Sequence, residues 1–208
     1  MRRGRLHATR TERGPRAVER TQEAVPTGQL SRAFASTRAV LATVGPDRLG
    51  AATPCGAWDV RALINHFVGS ARWGALTVLG GGNGDEEHGD GDFLARYDDA
   101  IEVTLAAFGS AGVLGRTIAL PFGEFTGADL MSMVTRDQFT HGWDLARALG
   151  QDTDLDPALA DELLVQARAE VVDAYRGPEG EAFFGPALAA PAGACPADRL
   201  AAFLGRAV

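Results

Sequence analysis

Between Ala128 and Leu149 the residues Leu130, Val134, Asp137, His141, Leu145 and Ala148 advance in steps of three and four. That spacing lays them along one stripe of an α-helix, so an acid and an imidazole share the face that must be buried. Such a helix is not stable alone and requires other amphipathic elements to cover its stripe. The chain supplies them. Leu30, Phe34, Leu41 and Val44 mark a helix over 29–44, ended by Gly45-Pro46. Asp59 is placed to cap a second helix, whose buried face carries Val60, Leu63, Ile64, Phe67, Val68 and Ala71 with His66 at its edge. Leu94, Tyr97, Ile101, Leu105 and Phe108 mark a third, and Asp156-Pro157 opens a fifth along Leu159, Leu163, Leu164, Ala167 and Val171. A short helix over 196–204 closes the chain.

The connections read from their turn chemistry. Gly150 stops the fourth helix as a C-cap, and Thr117 to Leu120 with Glu124 to Thr126, split by Pro121-Phe122-Gly123, predict a short hairpin or crossover. Gly80 to Asp92 has the composition of a mobile loop. Residues 1–26 hold seven arginines and few large apolar side chains, so they read as a disordered extension. Residues 27–208 form one domain, a mainly α bundle.

Charge and composition remove several function classes. The net charge of -7 argues against a nucleic-acid footprint, and no apolar run is long enough to span a membrane. All 20 basic residues are arginine, which excludes Schiff-base and P-loop chemistry. Cys55 and Cys195 lack a CxxC spacing and a histidine near in sequence, so structural use is favoured over a cysteine nucleophile, with a single bridge between them left open. The expected location is the cytoplasm, and the expected partner is a small molecule; exposed helix faces leave room for a homodimer.

The chemistry is expected on the fourth helix. Asp137 and His141 stand one turn apart and can chelate one ion, with His66 as a third ligand from the second helix. Two imidazoles and a carboxylate suit zinc first, with nickel or ferrous iron also compatible, and three protein ligands leave a coordination position open. The bland alternatives are a surface ion pair for Asp137 and His141, and a satisfied core histidine for His66. Against them, a carboxylate on an inward face is costly unless paired or metal-bound. Asp144 could orient a ligand imidazole or cap a backbone turn. Arg136 and Arg72 could grip an anionic substrate, though an exposed arginine needs no function. Trp143 is a further candidate on the ligand helix, though in most helical bundles it, Trp58 and Trp73 would simply be core.

The strings Thr53-Pro-Cys-Gly-Ala-Trp58-Asp59-Val-Arg-Ala-Leu-Ile-Asn-His66 and Asp137-Gln-Phe-Thr-His141-Gly-Trp143-Asp144-Leu-Ala-Arg-Ala-Leu-Gly150 resemble the mycothiol-dependent maleylpyruvate isomerase N-terminal domain, of the DinB-like metalloprotein superfamily. The resemblance runs from Gln29 to the chain end. It implies a four-helix bundle in which the positions of His66, Asp137 and His141 bind zinc or a similar ion. It also implies thiol-dependent chemistry, with mycothiol or another small thiol as cofactor. In the isomerase the carboxylate is typically glutamate, where this chain has the shorter Asp137. The isomerase pattern adds a separate C-terminal domain, for which a chain ending at Val208 leaves no room. The leading expectation is a thiol-dependent transferase or isomerase. Its rivals are a metal-independent, cyclase-like enzyme of a natural-product pathway, a hydrolase, and a non-catalytic metal- or ligand-binding module.

Overall fold

A computed structural model of the chain describes residues 27–81, 91–178 and 180–208. The expected disordered extension over 1–26 lies outside the described residues, as does most of the expected loop over 80–92.

Four helices make the bundle: α1 (Gly28–Leu41), α2 (Val60–Leu79), α3 (Phe93–Phe108) and α4 (Gly127–Leu149). They close into a ring in which α4 packs on α1 and α2, and α3 packs on α2 and α1. Before α4 comes an antiparallel hairpin, β1 (Thr117–Leu120) and β2 (Gly123–Thr126), with Thr117 opposite Thr126 and Leu120 opposite Gly123. Two further helices follow, α5 (Pro157–Glu170) and α6 (Pro196–Phe203). The fold is mainly helical, as the apolar periodicity requires.

Local signals set the helix ends. The Asp59 carboxylate accepts the Ala62 N–H at the start of α2, and Asp156 accepts the Leu159 N–H before Pro157 at the start of α5. A reciprocal capping box between Thr126 and Asp129 starts α4, which Gly150 ends with φ 69°. The helix expected over 29–44 stops at Leu41, and Pro46–Arg48 forms a separate 3₁₀ turn. Proline restricts the residue before it to extended backbone, so Gly45 cannot continue a helix.

Two apolar clusters meet at α4. The bundle core gathers Phe34, Leu63, Ile64, Phe67, Tyr97, Phe108, Leu130, Val134 and Leu145. The second core holds Phe139 and Trp143 of α4 against Leu159, Leu163, Leu200 and Leu204. Helix α4 is therefore buried on two sides, and its polar residues Gln138, His141 and Asp144 are carried inside. Gly142 permits the approach of α1: a Cβ there would stand 2.2 Å from the Thr37 hydroxyl. That hydroxyl instead donates to the Gln138 carbonyl at 2.7 Å. Among the described residues no helix is long and apolar enough to cross a membrane.

Candidate metal centre

His66 reaches the site from α2, and Asp137 and His141 reach it from one face of α4. The Asp137 Oδ1 lies 3.5 Å from His66 Nε2 and 3.3 Å from His141 Nε2. All three ligand atoms lie within 4.8 Å of one another. Atoms that share a four-coordinate divalent ion at zinc–nitrogen or zinc–oxygen distances stand about 3.4 Å apart. Both distances from Asp137 Oδ1 match that value. The opening faces solvent on one side, because the His66 and Asp137 side chains keep 34% and 28% of their exposure while His141 keeps 8%.

The far nitrogen of His141 is held from inside. Its Nδ1 donates to Asp144 Oδ2 at 2.9 Å, and Asp144 is fully buried. A histidine whose Nδ1–H is committed to a carboxylate presents the Nε2 lone pair outward, the arrangement that supports histidine ligands in metal sites. Asp144 is itself neutralised by Arg206, whose Nε and terminal nitrogen donate to Oδ1 and Oδ2 at 3.3 and 3.1 Å. The Cys55 thiol donates to Oδ2 at 3.4 Å. Between orienting an imidazole and capping a turn, the structure gives Asp144 the first role.

The charges follow from these contacts. Burial pushes the Asp137 carboxyl up, but the neighbouring His141 and His66 more than reverse this and hold it well below the usual carboxylate range. Burial alone would lower His141; Asp137, Asp144 and Cys55 overcome it and raise the imidazole well above its ordinary value. Asp144 is likewise lowered, burial being outweighed first by the Arg206 charge and then by His141. These shifts all favour the charged forms of His141 and of the two carboxylates beside it.

The segment before α2 forms one wall. The Ala52 to Asp59 bridge closes this loop, and Thr53 braces it by donating to the Trp58 carbonyl at 2.8 Å. Trp58 thereby lies over His66, ring centroids 4.4 Å apart, and 5.8 Å from the His141 ring. Trp58, read as core from the sequence, packs against the bundle core and, half-buried, also lines the site.

Three candidates from the sequence lie elsewhere. Trp143 is buried in the second core and donates from Nε1 to Asp198 at 2.8 Å. Two residues along a helix turn it about 200° from His141, so it faces the opposite side. Arg136 is buried, pairs with Glu170 at 2.5 Å and lies over the Phe184 ring. Arg72 pairs with Asp99 on the surface. Cys55 and Cys195 are free, so the open possibility of a bridge between them is not realised. The absence of a histidine near Cys55 in sequence was misleading, because the fold brings His141 and Asp144 to it from 86 and 89 residues away. Arg206 and Ser70 were not visible as site residues: no local spacing connects either to α4.

Residues 30–146 match the family described as the mycothiol maleylpyruvate isomerase N-terminal domain. The chain belongs to this family. The DinB-like bundle is the fold consistent with it, and the family is associated with metal binding. Two relatives from Mycobacterium tuberculosis, the strains CDC 1551 / Oshkosh and H37Rv, carry the description "uncharacterized protein". Each is 41% identical over 181 residues, spanning 85% of this chain and 95% of the relative. No solved structure matches the chain. The matched stretch contains His66, Asp137, His141 and Asp144 but ends before α5, α6 and Arg206.

Proposed function

We propose that the protein is a divalent-metal enzyme, zinc being the first choice, that acts on a small molecule with a thiol cofactor of the mycothiol type. The observation that carries this reading is the convergence of His66, His141 and Asp137 on a solvent-facing wall, their ligand atoms within 4.8 Å of one another and Asp137 Oδ1 3.5 and 3.3 Å from the two imidazole nitrogens. Bound there, an ion would lower the pKa of a thiol or water and favour its anionic, nucleophilic form. The chain's residues supply the rest. Asp144 fixes the His141 ring and keeps its Nε2 directed at the site. Trp58 shields one side of His66 from water and offers a flat apolar surface to a ligand. The exposed edges of His66 and Asp137 leave the approach for a cofactor and its acceptor. Free Cys55 and Cys195 agree with a reducing compartment, the cytoplasm being the proposed location.

The test is the metal content of protein purified without added metal, measured by elemental mass spectrometry alongside His141→Ala and Asp137→Ala. Near-stoichiometric zinc, nickel or iron that disappears in both variants is the expected result, followed by thiol-dependent turnover of small electrophiles that a chelator abolishes. The ion pair between Asp137 and His141 also suits metal-free acid–base catalysis in a cyclase-like enzyme. An apo protein that stays empty on titration, or turnover indifferent to chelators, would overturn the metal reading in favour of that one. Metal binding without turnover would reduce the protein to a binding module.

A further inference from the structure

An aspartate can offer an ion one oxygen or two, and the choice changes which ions it suits. In this site the two oxygens of Asp137 have different surroundings. Oδ1 faces both imidazoles, whereas Oδ2 accepts from the Ser70 hydroxyl at 2.5 Å and lies 3.3 Å from the Gln138 amide nitrogen. Ser70 stands one turn after His66 on α2, so the helix that supplies a ligand also supplies this contact.

The hydroxyl's direction is set from deeper in the bundle. Gln138 Nε2 donates to the Phe67 carbonyl at 2.8 Å and to Ser70 Oγ at 2.9 Å, which uses both amide hydrogens. Its Oε1 accepts from the Tyr97 hydroxyl at 2.7 Å. The Phe67 carbonyl fixes the amide, since a carbonyl only accepts and so must face the NH2 group, which leaves Oε1 to receive the phenolic proton. Gln138 and Tyr97 are both fully buried. Ser70 therefore receives a hydrogen bond from the interior and passes its own proton outward to Asp137. The alternative acceptor, the Phe67 carbonyl, is more distant at 3.3 Å and uncharged. The chain Tyr97, Gln138, Ser70, Asp137 runs in one direction, and a charge-assisted bond completes it.

We propose that Ser70 is a positioning residue that restricts Asp137 to a single ligating oxygen, Oδ1. The site then favours ions content with few ligands, zinc or cobalt(II), over nickel, which prefers more. The inference rests on the metal reading above and adds to it the reason that Oδ2 stays out of the coordination.

Cobalt(II) titration followed by visible absorption tests it, because ligand-field bands are intense at low coordination number and weaken as ligands are added. In the wild type, intense bands are expected. In Ser70→Ala the freed Oδ2 joins the ion: the bands weaken several-fold, and zinc-over-nickel preference in competition falls roughly tenfold or more. Ser70→Thr keeps the hydroxyl and restores both, and Tyr97→Phe moves both part of the way. Ser70→Ala with unchanged bands and unchanged preference would overturn this inference alone, and wild type that takes up no cobalt would overturn the metal reading and this inference together. Thermal unfolding checks that each variant is folded. Should Ser70→Ala fail that check, Tyr97→Phe decides: a shift supports the proposal, and wild-type bands and preference overturn it.

Discussion

The two nitrogens of His141 face two carboxylates from the same helix, seven residues apart, that have been put to opposite uses. On the inner side Asp144 is fully buried, and its oxygens accept from His141, Arg206 and Cys55. On the outer side Asp137 has one oxygen held by Ser70 and the other facing two imidazoles and solvent. A carboxylate with both oxygens held by buried donors can only support; one with an oxygen left over can bind. The difference comes from packing. The inner side is covered by the Cys55 loop and by the chain end at Arg206, while the outer side lies between α2 and α4, where the His66 and Asp137 side chains stay partly exposed.

The most severe way to break this comparison is to remove each carboxylate from the apo protein in turn. Asp144→Ala leaves a buried guanidinium and an imidazole without their shared partner, and is expected to cost about 3–5 kcal/mol in urea unfolding. Asp137→Ala removes a partly exposed partner and is expected to cost no more than about 1 kcal/mol, while abolishing metal uptake. Equal costs would show that the two carboxylates do the same structural work and that the contrast is false.

Proton competition sharpens the comparison at a smaller scale. His141 is raised above its unfolded value, so its contribution to apo stability is complete below about pH 6.5 and is lost as pH rises through the folded pKa. Asp137 and Asp144 are lowered, so their contributions stand above about pH 4 and are lost as pH falls through their folded pKa values. Apo stability is therefore greatest between these limits. An ion at the site must displace the proton from His141 Nε2, so zinc affinity should rise about tenfold per pH unit until His141 is neutral, then level off. Affinity measured by chelator competition across neutral pH checks this. A flat profile would mean that Nε2 carries no proton in the apo protein.

The parts of this site that were legible in the sequence share one property: they follow from periodicity within a helix. Asp137, His141 and Asp144 recur on one face of α4 at spacings of four and three, and His66 borders the apolar face of α2. The same arithmetic placed the first five helices, while turn chemistry marked the hairpin. It also overreached. Proximity in sequence drew Trp143 and Arg136 into the candidate set, although their angular positions on α4 send them to the second core and to Glu170. What periodicity cannot carry is contact between distant segments. Arg206 meets Asp144 across 62 residues, Cys55 meets it across 89, and Ser70 meets Asp137 across 67. No local pattern marks a serine as the hydrogen-bond donor to a carboxylate on another helix; only the crossing of α2 and α4 does so.

Cys55 offers the smallest expected effect and the most direct challenge to the assignment of sides. Its thiol, His141 and Asp144 also lie close enough to hold an ion, so a rival centre could be drawn on the inner nitrogen. The contacts argue against it. Arg206 occupies both oxygens of Asp144, and a cation there would have to displace a guanidinium held by a paired charge in a buried site. A thiol is a weak donor, and Asp144 keeps its stronger bonds to His141 and Arg206 without it. Cys55→Ala should therefore lower stability by no more than about 1 kcal/mol and leave metal content unchanged. If metal is lost from Cys55→Ala but retained in Asp137→Ala, the ion sits on the inner side, and the roles of the two carboxylates are reversed.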